Sequence, residues 1–417
     1  MLINQGCYKF NKILDLETDR CYYRPMIRYE LPHNWILYDR VTTIDALVQA
    51  KASIISLTNI PFQKQWAQQL QIVQLKREVA GTSRIEGADF TEGELDAAMN
   101  ESIEQLHTRS QRQAIATVKA YKWIAALDND RPVTEDLISN IHRIIITDAD
   151  DDHCPPGVLR KKDQNVIFGV PQHRGCEGGA PCQDAFTRLC QAINQDFRDH
   201  DPLIQALAAH YHFAAMHPFL DGNGRTARAL EALMLQKIGL RDSLFIAMSN
   251  YYYEEKNSYL ATLASVRANN HDLTPFILFG LKGVAIQCQR LFEEIKKNIS
   301  KALFKDVMYN LFIRLQSSRK RVIAERQVEI LKVLLESPQI LDTLHKRVRH
   351  LYQSLKNPRK AFVRDLSSLM GLRAISVKED QEVYTFSVRL EWATEITESE
   401  FFRHSKELPK AKSHSFL

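Results

Sequence analysis

The sequence predicts a mainly α-helical protein with one short strand-forming segment near its middle and a winged helix-turn-helix towards its C-terminus. Three observations carry that expectation. Apolar residues recur at three- and four-residue intervals along most of the 417-residue chain, which is the period of an amphipathic helix. Val166, Ile167 and Phe168 form a β-branched and aromatic run that stops at Gly169 and Pro171. Beyond residue 320, three helical patterns in succession precede two β-rich runs around a polar turn.

Taken in order, residues 1–130 form the first expected region. Stretches such as TIDALVQAKASIISL (43–57) and ELDAAMNESIEQL (94–106) predict packed amphipathic helices with few strands. A core is expected over 131–290, running from Val133 through the helix LISNIHRIII, the strand-forming segment and the helix AFTRLCQAINQDF. The apolar helix LIQALAAHYHFAAM (203–216) follows. After the string HPFLDGNGRTAR (217–228), Leu230, Leu233, Met234 and Ile238 continue a helical period. The loop PQHRGCEGGAPCQD reads as a turn-rich insertion with no chemistry of its own. A third region, 291–417, holds AERQVEILKVLLES, LDTLHKRVRHLYQSL and RKAFVRDLSSLMGL, followed by the hairpin RAISVKEDQEVYTFSV. Three helices and a hairpin in that order make a winged helix-turn-helix whose third helix presents Arg359, Lys360 and Arg364.

Charge separates this last region from the rest. Residues 301–360 carry 14 Lys and Arg against 5 Asp and Glu, a net of +9, whereas the whole chain is only +5. The remainder is therefore about −4, and a nucleic-acid or acidic partner is expected at the basic segment alone. A solvated basic face would read the same way. Nothing predicts a membrane span, and the N-terminus MLINQGCYKFNK lacks the apolar stretch of a cleaved signal, so a cytoplasmic protein is expected, with export to a host cell left open. Seven scattered cysteines suit reduced thiols better than a disulfide framework. His153, Cys154, His173, Cys176 and Cys182 match no standard zinc spacing. His210 and His212 lie two apart on one helix and point away from each other; His210 is expected to be a hydrogen-bonded core residue.

Chemistry concentrates in His217–Arg228. Gly222 and Gly224 around Asn223 permit backbone angles that aim successive N–H groups into one concavity, an anion site. The helix that follows presents its positive end to the same place. Arg225 and Arg228, three apart, can grip phosphate oxygens with planar forks. Asp221 is a hard oxygen ligand suited to Mg²⁺ on phosphates, and His217 titrates near neutrality, as a general base must.

This string matches the signature HxFx(D/E)GNGRxxR at every position, so the chain resembles the Fic-domain proteins. The resemblance implies a Fic helical core with a short β-hairpin flap and a nucleotidyltransferase activity, most often transfer of AMP from ATP to a protein hydroxyl. It also implies that His217 deprotonates that hydroxyl, Asp221 binds Mg²⁺, and Gly222, Asn223 and Gly224 form the anion hole. Arg225 and Arg228 would hold the distal phosphates. Upstream, Thr82-Ser83-Arg84-Ile85-Glu86-Gly87 resembles the family's inhibitory motif (S/T)xxxE(G/N), in which Glu86 would pair with Arg228 and keep ATP from a productive pose. Thr82 and Glu86, four apart, would share a helical face.

Pro156 to Arg160 and Gln164 to Gly169 resemble the flap, so that Val166 and Ile167 would line the site beside the nucleotide and pair with an extended target. Tyr252, with Tyr251 and Tyr259, would stack on the base or else pack. Glu255 stands where many relatives carry asparagine. The winged helix resembles the appendage of many bacterial relatives and implies contact with DNA or protein. Expected partners are a protein substrate with a Ser, Thr or Tyr hydroxyl, a second copy of the chain in a homodimer, and no membrane. Two classes remain open: an autoinhibited adenylyltransferase, and a DNA-binding regulator using the core as a nucleotide sensor. Within the enzyme class, de-AMPylation and transfer of phosphate or phosphocholine also stay open.

Overall fold

In the computed structural model the described residues are 27–60, 64–100, 108–128, 131–169, 171–236, 246–315, 318–381 and 383–406. They fall into two units, Met1–Arg290 and Leu291–Leu417. The first contains β1 (Ile27–Arg28), α1 (Arg40–Asn59), α2 (Lys64–Ile85), α3 (Glu92–Met99), α4 (Arg109–Ala125), α5 (Glu135–Ile146), β2 (Ile167–Phe168), β3 (His173–Arg174) and α6 (Ala180–Asn194). After these come α7 (Pro202–Met216), α8 (Asn223–Gln236), α9 (Met248–Glu254), α10 (Lys256–Ala268) and the start of α11 (Thr274–Ile313). Residues 101–106 of the stretch ELDAAMNESIEQL, and Ile238, lie outside the described residues.

The pair α7 and α8 forms the centre of this unit. A helix that is apolar all round must be enclosed, and α7 buries every residue from Ala206 to Met216. Asp201 caps it by accepting the Leu203 N–H, and Pro202 occupies its first turn. Three elements, α2, α4 and α5, pack against α8, and α2 also runs along α9. Capping fixes where these helices begin. Thr108 and Gln111 form a capping box before α4, Thr91 and Glu94 form another before α3, and the Thr134 side chain accepts the Leu137 N–H before α5.

The contact of α2 with α9 has a polar pin within an apolar seam. Glu78 on α2 is buried, accepts from the Ser249 N–H at 2.7 Å and the Tyr121 hydroxyl at 2.7 Å, and also meets the Ser249 hydroxyl. Burial pushes its carboxyl up to about 7. One turn later Gly81 lies directly on the Ser249 carbonyl, with no room for a Cβ.

Flap strand β2 pairs antiparallel with β3, Ile167 opposite Arg174 and Phe168 opposite His173, and β1 adds in parallel on the far side. The segment PQHRGCEGGAPCQD is thus the return strand of the hairpin and the start of α6, where a simple insertion was expected. Val166 precedes the strand, its carbonyl accepting the Gly175 N–H at 3.2 Å.

In the second unit, α12 (Ser318–Glu336), β4 (Gln339–Ile340), α13 (Leu341–Val348), α14 (Pro358–Gly371), β5 (Ile375–Asp380) and β6 (Val383–Val388) precede the short helices α15 (Trp392–Glu395) and α16 (Glu398–Lys406). The strands form an antiparallel sheet in the order β4-β6-β5. Leu331, Leu344, Phe362, Leu366, Phe386 and Trp392 fill its core. The second expected helix is shortened: α13 gives way to a 3₁₀ turn at Arg349–Leu351, and the buried Tyr352 hydroxyl reaches Asp365 at 2.8 Å, which also accepts from Arg326 at 2.8 Å. No described helix of the chain is long and apolar enough to cross a membrane.

Gly81→Ala should force α2 away from Ser249 and cost about 1–3 kcal/mol, the usual penalty for overpacking a filled interior. Thermal unfolding measures it; an unchanged Tm would show that the seam yields freely.

Candidate active site

His217 ends α7 in a left-handed conformation (φ 54°), uncommon for a residue with a Cβ, while its N–H still closes the helix on the Phe213 carbonyl. That turn throws the imidazole out of the helix. Nδ1 lies 2.7 Å from the Ala214 carbonyl and must donate to it, which leaves Nε2 without a proton in the neutral ring. Burial lowers the ring's pKa to about 4, so it is neutral at pH 7. A neutral imidazole with a fixed tautomer is what a general base requires.

From here the chain is tied back on itself. The Asn223 side chain bonds both the Phe219 N–H and the Phe219 carbonyl at 2.9 Å. His142 stacks on the Phe219 ring (centroids 3.6 Å apart), accepts the Gly157 N–H at Nδ1 and donates from Nε2 to the Asp221 carbonyl at 3.0 Å. The two glycines serve different ends. Gly222 needs its positive φ of 72°, and a Cβ there would also lie 2.7 Å from Ile146. Gly224 has no such φ; it is small because the Glu86 carboxylate lies against it.

Asp221 is the acid of the turn. Oδ1 accepts the Gly222 N–H at 2.6 Å, and Oδ2 faces His153 Nε2 at 2.8 Å and Arg109 at 3.6 Å. Burial pushes its carboxyl up, but His153, the Gly222 N–H and Arg225 together hold it below its ordinary value. A hard carboxylate oxygen with an imidazole beside it, and Asp150 nearby, fits a divalent cation. Arg225 is almost wholly buried and pairs with Asp150 at 2.7 Å, while its Nε and Nη1 have no protein partner. Buried donors left unpaired are costly, so this guanidinium is built to receive an anion.

Thr82 and Glu86 both meet Arg228. The arginine donates from Nε to the Thr82 hydroxyl at 2.8 Å, and from Nη2 to the Thr82 carbonyl at 3.2 Å and to Glu86 at 2.5 Å. They meet it differently from the expected shared helical face. Helix α2 stops at Ile85, and Glu86 projects from the turn that follows, where Gly87 has φ 90°. Burial of the carboxyl opposes its charge, but Arg228 and Arg225 outweigh that and hold Glu86 below its ordinary value, although 38% of the side chain remains exposed.

The flap reaches His217 through Phe168, whose ring stacks on the imidazole at 3.8 Å. Behind it Arg160 is buried and donates to the His217 carbonyl at 2.7 Å, the Gln164 carbonyl at 2.7 Å and the Cys176 carbonyl at 2.6 Å. One guanidinium thereby joins the hairpin to the base. Ile167 is half-exposed on the strand, while Val166 contributes through its backbone.

Tyr252 does not face the site. Its ring is buried, stacked on Tyr259 at 4.7 Å, and its hydroxyl donates to Glu231 at 2.7 Å, so it packs the wall instead of stacking on a base. The Tyr259 hydroxyl lies 3.5 Å from Arg228. Glu255 caps α9. His210 is the expected core residue, bonded to Glu231 and to the Tyr259 hydroxyl at 2.9 Å. His153 and Cys182 lie apart, His153 facing Asp221 and Cys182 buried near the Pro218 carbonyl. The contacts of His142 with Asp221, of Arg160 with His217 and of Asp150 with Arg225 were not foreseen; no local pattern marks them, because they join residues 57 to 79 apart.

Residues 132–235 match the family model "Fic/DOC family". Over these residues the chain is similar to the Fic domain. A protein adenylyltransferase Fic of Nematostella vectensis is 29% identical over 172 residues, 39% of this chain and 35% of that protein. A uridine 5'-monophosphate transferase of Xanthomonas campestris pv. campestris is 29% identical over 147 residues, 33% of this chain and 26% of that protein. The chain thus spans about a third or less of these relatives. A Fic family protein from Desulfovibrio desulfuricans G20 shares the fold, with a TM-score of 0.53 and 15% identity over 87% of this chain and 98% of that one.

His142, His173 and His217, each lowered to about 4, and His212, lowered to about 3, are kept neutral chiefly by burial. Unfolded, they would bind protons near pH 6.5, so stability is fully present above 6.5 and falls as pH drops towards 4. Glu78, raised to about 7, and His153, raised by its two carboxylates, have the opposite sign, but His200 and His271, lowered by burial, add to the first set. Urea midpoints across pH 7.5 to 4.5 should decline; a flat profile would mean that these rings are not buried in neutral form.

Proposed function

We propose that the chain is a protein adenylyltransferase that moves AMP from ATP to a Ser, Thr or Tyr hydroxyl of a target protein, and that Glu86 holds it inactive. One observation carries the reading. His217 Nε2 is free of its own proton beside a turn of N–H groups, while the nearby Arg228 is engaged by Glu86. His217 takes the hydroxyl proton as the target oxygen attacks the α-phosphorus, and the bond to the departing pyrophosphate breaks. The N–H groups that open α8 and the unpaired nitrogens of Arg225 receive the phosphate oxygens. Mg²⁺ on Asp221 would neutralise phosphate charge and orient the leaving group. Ile167 and Phe168, on the flap edge, would align the target backbone beside His217.

Glu86 restrains this chemistry by position. Its carboxylate fills the space over Gly224 and neutralises Arg228, so the terminal phosphate loses its cation and meets an anion. The sequence relationship to a uridine 5'-monophosphate transferase makes a uridine nucleotide the alternative donor. The five described cysteines are free thiols, which suits a cytoplasmic setting. In the second unit Arg359, Lys360 and Arg364 are exposed on α14; they support a winged helix that contacts DNA, and binding should then weaken steeply with salt.

With labelled ATP and Mg²⁺, Glu86→Gly protein should label itself or a target about tenfold or more above wild type, since each 1.4 kcal/mol of lost restraint is about tenfold. Adding His217→Ala should lower that rate about 10²–10⁴-fold. Label that never appears, or that ignores His217, would refute the transferase reading; label from UTP alone would change the donor. Duplex DNA titrated by fluorescence polarisation tests the second unit, and affinity unaffected by salt would remove DNA as its partner.

A further inference from the structure

The ring of His153 lies between two carboxylates. Nδ1 is 2.7 Å from Asp152 Oδ1, and Nε2 is 2.8 Å from Asp221 Oδ2. A neutral imidazole has one proton and cannot serve both. Each ring nitrogen therefore faces an anionic oxygen, and Nε2 also lies 3.2 Å from Arg109 Nη2. Two negative ends brought together need a positive charge between or beside them. Arg109 supplies it here: its Nη2 is 3.2 Å from His153 Nε2 and 3.6 Å from Asp221 Oδ2, while its Nε bonds Asp150 at 2.6 Å.

We propose that His153 is a ligand of the cation site, giving Nε2 to the same divalent ion as Asp221 Oδ2, and that the half-exposed Arg109 guanidinium holds the place of that ion. The inference rests on the reading of Asp221 as the cation's carboxylate. The spacing fits: two ligands at right angles, each about 2.1 Å from an ion, lie about 3.0 Å apart. The Asp152–His153 contact is the carboxylate–imidazole arrangement that fixes a metal-binding tautomer and raises its basicity. Asp150 is spoken for by Arg225, Gln113 and Arg109, so it sets the charge of the site without ligating. A nitrogen ligand changes selectivity, because imidazole favours Mn²⁺ and later transition ions over Mg²⁺. Mn²⁺ should therefore bind more tightly than Mg²⁺.

The test uses the full chain with Mn²⁺ or Mg²⁺ as probe, and electron spin echo envelope modulation of bound Mn²⁺ as a readout independent of activity. Wild type should show ¹⁴N coupling. His153→Ala should lose it and bind Mn²⁺ about tenfold more weakly, with Mg²⁺ changing less than about threefold. Arg109→Gln should tighten Mn²⁺ several-fold, and Asp221→Ala should abolish binding. Mn²⁺ that depends on Asp221, shows no ¹⁴N coupling and is indifferent to His153→Ala would overturn the role of His153 while leaving the cation carboxylate in place. Binding indifferent to Asp221→Ala would overturn both.

Discussion

The arrangement turns on Arg228, a cation buried in the wall of an anion site with a carboxylate from another helix closing on it. A buried guanidinium must be paired, and the protein pairs it with the Thr82 hydroxyl, the Thr82 carbonyl and Glu86, and more distantly with the Tyr259 hydroxyl. The first two partners come from the body of α2 and stay wherever that helix stays. Glu86 alone comes from the turn beyond the helix end, with 38% of its side chain exposed. The contact proposed to block the site is thus the one that comes from outside the body of α2. Glu78 and Gly81, seated on Ser249, supply that docking.

The same economy governs the base. His217 is held by its left-handed turn, by the Ala214 carbonyl at Nδ1 and by Phe168 across its face. Arg160 then bonds both the His217 carbonyl and the hairpin, so the flap and His217 share one anchor. Positioning accounts for much of the rate of phosphate transfer, and here one buried side chain positions both the base and the edge that would present the target.

Much of the site was legible because its residues are contiguous. His217, Asp221, Asn223, Arg225 and Arg228 stand on one turn and one helix start, where spacing alone fixes their relation. Thr82 and Glu86 were legible through the resemblance of their motif, although the real geometry uses a turn where a continuous helical face was expected. Helices over most of the chain followed from period, whereas β1 and β3, two residues each, carry no pattern and arise only from pairing. Arg160, His142 and Asp150 were illegible because each acts through a partner far along the chain. Tyr252 was misassigned since aromatic composition cannot distinguish a wall from a lining; its hydroxyl, committed to Glu231, decides the matter. Gly224 was assigned a backbone role, yet its smallness serves the carboxylate that rests on it.

The most direct test is the structure of the ATP complex of the wild-type and Glu86→Gly proteins under the same conditions. The account predicts that in the variant Arg228 leaves no gap: it bonds the γ-phosphate, and the α-phosphate lies on the N–H groups of Gly222 to Arg225 with His217 Nε2 open to an incoming hydroxyl. In the wild type Glu86 keeps Arg228, and the phosphates lie elsewhere. The same phosphate pose in both proteins, with Arg228 on Glu86 or free of the nucleotide, would contradict it.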